Sequence, residues 1–358
     1  LVGSEMCIRH SDKDVLAIKQ TLYRVSSSSP VVQALEKAVQ NGKQVTVLME
    51  VKARFDEANN ILMARRLEKA GAHVIYGLVG LKTHSKCTLV IRREKDGIRR
   101  YVHVATGNYN ASTAKLYTDL GILTCNDRFG IDASAFFNLL SGYSDPPIWD
   151  SFIVAPINLR QRCIELIDRE IHFAKNGEDA HMIAKMNSLL DKGIIEKLYE
   201  ASQAGVKIEL IVRGICVLIP GIPGVSDNIT VRSIVGRFLE HSRIFWFRNG
   251  GREELYISSA DWMPRNLNDR VELMVPIEDP EIKRRLKQMV DIELSDNQKA
   301  HIMQADGTWL KTISAENQLC AQEYFQKIAE KRDAEDEMTL AQKLEPYTPV
   351  LGHGDGSD

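Results

Sequence analysis

Two short motifs in this 358-residue chain place a cation two positions after a histidine. The first is His84-Ser85-Lys86, and the second is His241-Ser242-Arg243. A neutral imidazole can attack phosphorus and carry the phosphoryl group as phosphohistidine. In a strand the cation lies on the same side as the histidine, because side chains alternate between faces. The two motifs indicate a phosphoryl-transfer site: one imidazole carries phosphate, the other handles charge or protons, and the cations bind phosphate oxygens.

Either motif taken alone also fits a solvent-exposed histidine at the edge of a hairpin. Repetition favours the chemical interpretation, because each copy opens a strand-like run and follows a helix, a glycine and a strand. The alternative for the repeat is a chance similarity between two α/β units.

Alternating strands and helices must position these motifs. Hydrophobic periodicity predicts strands at 14–25, 44–51, 73–76, 87–93, 99–105, 182–187 and 206–212. It predicts helices at 31–41, 56–70, 159–175 and 191–204. This alternation is typical of an α/β layered fold.

The two halves of the chain align with each other. Gly42 matches Gly205, His84 matches His241, and Lys19 matches Lys185. We therefore predict two α/β domains that are related by internal duplication and share one cleft. The predicted domains are 1–145 and 146–315, with a linker at 144–147. Residues 316–358 are predicted to form a C-terminal helix, 316–344, followed by a disordered tail.

Further candidates lie at the ends of predicted strands. Arg24, Arg54 and Arg213 each follow a buried-looking strand, where open α/β sheets bind ligands, and a guanidinium can engage two anion oxygens. Asn108, in Thr106-Gly107-Asn108, could bind a phosphate oxygen or orient a histidine, and 258–262 could orient His241. Ordinary surface arginines, turns and helix caps are the alternatives, and local sequence does not separate them.

Composition limits the function classes. Hydrophobic residues make up 44% and charged residues 26%, with a net charge of −2, as in an ordinary globular protein. Six scattered cysteines without CxxC spacing argue against a zinc site and a disulfide framework, and favour a cytoplasmic protein. No apolar run has the length of a membrane span, so association with membranes is left open only through partners. We expect no nucleic-acid partner.

The motifs together resemble the polyphosphate kinase 1 family from about Val15 to Gln326. The resemblance is carried by 18–24, 52–57, 82–86, 106–110, 116–119, 212–214, 226–229, 238–241, 250–251 and 258–263. It implies a phospholipase-D-like pair of catalytic domains. It also implies reversible transfer of the ATP γ-phosphate to inorganic polyphosphate through phosphohistidine, with Mg²⁺ as cofactor.

The resemblance also implies roles for single residues. His84 matches the phosphorylated nucleophile, with Lys86 beside it, and Tyr117, Arg213 and His241 match ATP-contacting positions. Arg24 and Arg54 match positions associated with Mg²⁺, although an arginine has no lone pair to offer a metal. We expect a homo-oligomer that binds ATP, ADP and polyphosphate. The family's N-terminal domains have no counterpart in this sequence, so weak turnover is expected.

Two other functions stay open. A phospholipase-D-like phosphodiesterase uses the same pair of histidines, but its motif needs an aspartate five residues after the lysine. Ile91 and Arg248 occupy those positions, which favours the kinase. A polyphosphate-binding fragment with little activity is the third possibility.

Overall fold

The computed structural model describes residues 11–26, 28–53, 56–142 and 148–343. Arg54, the predicted linker at 144–147 and the predicted tail after residue 344 lie outside the described residues. Within the described ranges, the chain folds into two α/β halves that contact each other.

The first half is built on a six-stranded mixed sheet. Its strands are β1 (Val15–Leu22), β2 (Gln44–Met49), β3 (His73–Tyr76), β4 (Lys82–Thr83), β5 (Lys86–Glu94), β6 (Gly97–Ala105), β7 (Tyr117–Thr118) and β8 (Gly121–Thr124). Its helices are α1 (Pro30–Gln40), α2 (Glu57–Ala70) and α3 (Asp127–Leu140). The order in the sheet is β3-β2-β1-β5-β6-β8, whereas β4 and β7 pair with strands of the second half.

The second half repeats this plan. Its strands are β9 (Ile153–Ala155), β10 (His181–Met186), β11 (Lys207–Val212), β12 (Ile229–Ile234), β13 (Leu239–Glu240), β14 (Arg243–Phe247), β15 (Glu254–Ser258), β16 (Arg270–Pro276), β17 (Ala300–Met303) and β18 (Trp309–Lys311). Its helices are α4 (Leu159–Lys175), α5 (Lys192–Gln203), α6 (Pro264–Asn268), α7 (Pro280–Leu294) and α8 (Ala321–Lys343).

The strand orders confirm the predicted duplication. The central order β12-β11-β10-β14-β15-β16 reproduces that of the first sheet, and β17 and β18 extend its edge. One predicted match is wrong. Lys19 pairs with Leu89, five residues after His84, whereas Lys185 pairs with Ile244, three residues after His241. The residue equivalent to Lys185 is therefore Thr21, because the unequal lengths of the preceding loops hide the register in the sequence.

Helix boundaries follow from local sequence. The hydroxyl of Ser29 accepts a hydrogen bond from the amide of Val32 and caps α1, whose Pro30 suits the first turn. Asp191 caps α5 in the same way. Gly42 follows α1 with φ of 75°, a left-handed conformation that glycine adopts without steric cost.

The predicted start of the C-terminal helix is wrong. Helix α8 begins at Ala321 rather than at residue 316. The amide of Ala321 donates to the carboxylate of Asp296, and the amide of Leu319 donates to the side chain of Asn297. These bonds from a distant loop hold the preceding residues out of the helix, so tertiary contacts override the helical propensity of the sequence.

The two sheets pack through a shared hydrophobic core. Leu89 and Val102 of the first half lie in the same buried cluster as Ile244, Leu255 and Val271 of the second. Each half has a second core against its helices α1 and α2, or α4 and α5. The shared core fixes the two halves against each other, so side chains from both can form one site. None of the described helices is long and apolar enough to cross a membrane.

Candidate active site

The two halves exchange short strands just before each histidine. Strand β4 pairs with β16 of the second half, and β13 pairs with β7 of the first. The amides of His84 and Ser85 both donate to the carbonyl of Val271. The amides of His241 and Ser242 both donate to the carbonyl of Thr118. Each histidine is therefore anchored to the opposite half by backbone hydrogen bonds.

A buried carboxylate from the second half orients His84. The Nδ1 of His84 lies 2.8 Å and 2.9 Å from the two oxygens of Glu272. Ser259 donates to Glu272 at 2.5 Å, and Asn266 donates at 2.6 Å. A carboxylate bonded at Nδ1 fixes the neutral imidazole as the Nδ1–H tautomer. The Nε2 lone pair of His84 has no hydrogen-bond donor among the residues that the structure describes.

Burial controls the charges of this pair. Desolvation lowers the pKa of His84 to about 3, although Glu272 acts in the opposite direction. Burial alone would raise the pKa of Glu272, but His84, Lys86 and Ser259 together lower it below its ordinary range. At neutral pH the pair is a neutral imidazole and a carboxylate.

Lys86 is fully buried beside His84. Its ammonium donates to the backbone carbonyl of His84 and lies 5.7 Å from the centre of the Tyr23 ring. The ring of Tyr23 also meets the His84 ring edge-on, with centroids 4.7 Å apart. Burial lowers the pKa of Lys86 to about 7. Among the described residues, no carboxylate accepts a hydrogen bond from this ammonium.

A carboxylate from the first half orients His241. The Nδ1 of His241 lies 2.8 Å from Asp119, which also accepts a hydrogen bond of 2.6 Å from Thr106. Gly107 makes room for this carboxylate, because a Cβ at Gly107 would lie 2.2 Å from an Asp119 oxygen. The motif at 106–110 thus contributes to the site by holding Asp119.

Arg243 occupies the other side of the His241 ring. Its Nη1 lies 3.1 Å from His241 Nε2 and donates to the His241 carbonyl at 2.6 Å. The guanidinium is paired with Asp261 through two bonds of 3.1 Å. Burial and then the charge of Arg243 lower the pKa of His241, and the charge of Lys86 also contributes. Lys86 of the first motif therefore acts electrostatically on His241 of the second.

The other predicted residues lie at different distances from this centre. The Tyr117 ring is 5.0 Å from the His241 ring. Arg213 reaches His241 indirectly, because it donates to Asn187 and Asn187 donates to the His241 carbonyl. Asn108 lines a cavity of about 560 Å³ with Tyr117, and its side-chain oxygen is buried without a partner among the described residues.

The two residues predicted to lie near a metal give no ligand set. Arg24 forms an ion pair with Asp56 at 3.1 Å and stacks on the Tyr23 ring, whereas Arg54 lies outside the described residues. The described part of the chain contains no group of three His, Cys, Asp or Glu side chains that could hold a metal ion. The described residues therefore do not fit a metal site made by the protein alone.

Three residues that contact the rings of the two histidines were not predicted. Glu272 lies in β16 with no motif around it, and its role depends on pairing between strands that are far apart in sequence. Tyr23 and Asp119 lie in two segments that carry the family resemblance, 18–24 and 116–119, but nothing in their spacing showed contact with a histidine. Only the duplication offered a signal, because Asp119 and Glu272 occupy equivalent positions after the second hairpin strand.

Comparisons with family models and with known proteins agree on one family. Residues 7–146 match the model "Polyphosphate kinase C-terminal domain 1", and residues 152–322 match "Polyphosphate kinase C-terminal domain 2". The chain is 61% identical over 289 residues to a polyphosphate kinase of Halalkalibacterium halodurans, covering 81% of this chain and 41% of that protein. It is 56% identical over 323 residues to one of Synechocystis, covering 89% and 44%. The chain thus spans less than half the length of these relatives.

Solved structures agree with the fold. A polyphosphate kinase from Porphyromonas gingivalis matches with a TM-score of 0.87 and 38% identity, over 93% of this chain and 51% of that one. A phosphatidylserine synthase from Haemophilus influenzae matches with a TM-score of 0.53 and 11% identity, over 94% and 92%. The second likeness concerns the fold alone. The predicted phospholipase-D-like α/β fold is confirmed.

Proposed function

Since this chain belongs to the polyphosphate kinase family, we propose that it carries the phosphoryl-transfer centre of such an enzyme. The reaction is reversible transfer of the ATP γ-phosphate to inorganic polyphosphate. One observation supports this most directly: a buried, neutral His84 is oriented by Glu272 at Nδ1, and no described residue donates to its Nε2.

His84 is the nucleophile in this proposal. Its Nε2 lone pair attacks the γ-phosphorus and forms an N–P bond, while the bond from that phosphorus to the bridging oxygen breaks and ADP leaves with the electron pair. A terminal oxygen of polyphosphate then attacks the phosphohistidine, and the N–P electron pair returns to His84. The negative charge of Glu272 stabilises the more positive imidazole ring of the intermediate.

The surrounding cations balance the phosphate charge. Lys86 faces the same site as His84 and bonds no carboxylate among the described residues, so it is suited to a phosphate oxygen. His241, with Asp119 behind it, handles charge or protons on the transferring group. Tyr117, Arg213 and Asn108 contribute to binding ATP or phosphate, and Arg24 and Arg54 to the phosphate side of the site.

Mg²⁺ enters the proposal only as an ion bound to the nucleotide. Phosphate oxygens and water would supply most of its ligands, because the described residues contain no group of three side chains that could hold a metal ion. When bound, the ion would neutralise phosphate charge.

The test is covalent labelling by ATP that carries a radioactive γ-phosphate. The wild-type chain is expected to take up acid-labile, base-stable label, and the His84→Ala variant to take up none. His172→Ala is the matched control, because His172 lies on α4, where its side chain bonds Asn176 and packs against the ring of Phe173. Label that persists in His84→Ala would refute the assignment.

Two further assays separate the competing functions. Formation of ATP from ADP and polyphosphate by this chain supports the kinase. Robust cleavage of a chromogenic phosphodiester would instead support a phosphodiesterase. Polyphosphate binding without labelling or ATP formation would support a binding fragment. In this proposal the domains 1–145 and 146–315 act as one unit, since each half completes the other's histidine.

A further inference from the structure

A group of three buried charges lies behind His241. Lys185 of β10 is 2% exposed, and its ammonium donates to Glu240 at 2.7 Å. The same ammonium donates to Glu293 of α7. Neither Lys185 nor Glu293 takes part in the transfer step proposed above, yet burying three ionisable groups is costly unless they are paired.

Glu240 connects this group to the site. It directly precedes His241, and its Oε2 also accepts a hydrogen bond of 2.8 Å from the hydroxyl of Thr118. Thr118 in turn receives the amides of His241 and Ser242 on its carbonyl, and it directly precedes Asp119. Glu240 therefore holds both strands of the β7–β13 pair, one leading to Asp119 and the other to His241.

The start of α8 completes the arrangement. Gln322 donates to the second oxygen of Glu240 at 2.7 Å and to the carbonyl of Phe238 at 2.9 Å. Its own side-chain oxygen accepts from the amide of Phe238 at 3.0 Å. With these bonds both carboxylate oxygens of Glu240 are occupied, so its side chain has a single favourable orientation.

The charges of the group support the same arrangement. Burial alone would lower the pKa of Lys185, but Glu293 and Glu240 raise it above its ordinary value. Burial raises the pKa of Glu293 to about 7, against the attraction of Lys185. Lys185 therefore stays charged, and Glu240 remains its carboxylate partner because Lys185, Gln322 and Thr118 outweigh the burial that would raise its pKa.

The first half performs this task differently. The residue equivalent to Lys185 is Thr21, whose hydroxyl donates to the carbonyl of Ser85 at 2.8 Å and accepts from the amide of Cys87 at 3.0 Å. Thr21 thus fixes the strand of His84 directly. In the second half the equivalent residue, Lys185, instead binds the side chain of Glu240, the residue directly before His241.

We propose that Lys185 is a positioning residue which, through Glu240, fixes the β7–β13 pair and with it the hydrogen bond between Asp119 and His241. The effect on catalysis rests on the function proposed above, whereas the hydrogen bond itself is independent of it. Lys185 touches neither histidine, so it acts only through Glu240.

The experiment follows the imidazole Nδ1–H protons by NMR. In the wild-type chain, the Nδ1–H of His241 and of His84 are both expected to exchange slowly with water. In Lys185→Met the exchange of the His241 proton is expected to accelerate by about tenfold or more, while that of His84 stays unchanged. His84 is the internal control, because Glu272 holds it on the other side of the site.

Two outcomes would overturn the proposal. An unchanged His241 proton in a folded Lys185→Met chain shows that Lys185 does not set the bond. Equal acceleration at both histidines shows general loosening rather than positioning. If Lys185→Met fails to fold, Glu240→Gln is measured in the same way. The double variant Lys185→Met/Glu240→Gln removes the charges of Lys185 and Glu240 together, leaves Glu293 in place, and is expected to recover part of the slow exchange.

Labelling by ATP separates this proposal from the proposed function. Slower labelling in Lys185→Met together with faster exchange at His241 supports both. A wild-type chain that takes up no label contradicts the proposed function but leaves the exchange result to decide the role of Lys185.

Discussion

The two histidines, each with the residues that orient it, form two clusters of the same design. In each cluster a hydroxyl donates to a carboxylate, and the carboxylate binds Nδ1 of the histidine. Ser259 donates to Glu272, which holds His84, and Thr106 donates to Asp119, which holds His241. In each cluster the carboxylate comes from the opposite half of the duplication. A single domain of this kind would leave its histidine without a carboxylate, which explains physically why the site needs two copies.

The clusters differ at the second ring nitrogen. Arg243 lies 3.1 Å from Nε2 of His241, whereas no described residue donates to Nε2 of His84. A lone pair that faces a guanidinium is a poor nucleophile, and a free one is available to phosphorus. The same fold therefore places a candidate nucleophile in the first half and a supporting imidazole in the second.

They differ also in the charge opposite each cation. Lys86 pairs with Ala105 across the hairpin, and Arg243 pairs with Ser258. Asn108 lies three residues after Ala105 in the first half, and Asp261 lies three residues after Ser258 in the second. Asp261 neutralises Arg243, but the amide of Asn108 cannot neutralise Lys86. In the proposed reaction the positive charge of Lys86 binds a phosphate, whereas the charge of Arg243 is balanced by Asp261.

Replacing the two cations is expected to have the largest effect on this difference between the clusters. Arg243→Met leaves Asp261 buried without its partner and is expected to lower the free energy of unfolding by about 3–5 kcal/mol. Lys86→Met removes a buried charge that bonds no carboxylate in the part of the chain that the structure describes, so a loss of about 1 kcal/mol or less is expected. Denaturant unfolding of both variants measures this, and equal losses would contradict the assigned difference.

Replacing the two carboxylates that orient the histidines is expected to have the next largest effect. Glu272→Gln keeps a hydrogen-bond acceptor for His84 but removes the charge, and we expect the rate of phosphohistidine formation to fall by about a hundredfold. Asp119→Asn is the matched change at His241, with an expected loss of about tenfold. Single-turnover labelling compares them. A larger loss in Asp119→Asn would mean that the roles of the two histidines are reversed.

Sequence reasoning recovered the parts of this molecule that are local or repeated. The two histidine motifs, the strand that each motif opens and the alternation of strands and helices all follow from patterns of a few residues. The duplication followed from the repeated motif, although the false match of Lys19 with Lys185 shows that unequal loops obscure the register.

The crossed contacts could not be predicted in the same way. Glu272 is 188 positions from His84 in sequence, and the contact depends on β4 pairing with the opposite half. Two-residue strands such as β4 and β13 carry no hydrophobic pattern of their own, because they are too short to alternate. The start of α8 was misplaced for a related reason, since a distant loop sets it.

Asn108 tests whether the missing counter-charge matters. In Asn108→Asp a carboxylate stands where Asp261 stands in the other half, so the pKa of Lys86 is expected to rise above about 7. Labelling at pH 7 is expected to slow by about tenfold, because the new carboxylate repels phosphate. It also forms an ion pair with the protonated Lys86, whose charge is then no longer offered to phosphate.

The pH dependence of the labelling rate tests the direction in which the pKa of Lys86 changes. In the wild type, Lys86 loses its proton as pH rises through about 7, so labelling is expected to fall above that pH. In Asn108→Asp that fall moves to higher pH. Initial rates of labelling between pH 6 and 9 measure both profiles. An unshifted profile would show that Asn108 does not face Lys86.

The smallest effect concerns the two tyrosine rings. Tyr23 meets His84 edge-on at 4.7 Å and also lies under Lys86, whereas Tyr117 lies 5.0 Å from His241 at the cavity. Tyr23→Leu is expected to lower the maximal rate of labelling by about threefold to tenfold with the KM for ATP unchanged, because it loosens the nucleophile. Tyr117→Leu is expected to raise the KM for ATP, because that ring is proposed to contact the nucleotide. If both variants changed KM alone, Tyr23 would belong to the binding surface, and the ring beside His84 would have no part in positioning the nucleophile.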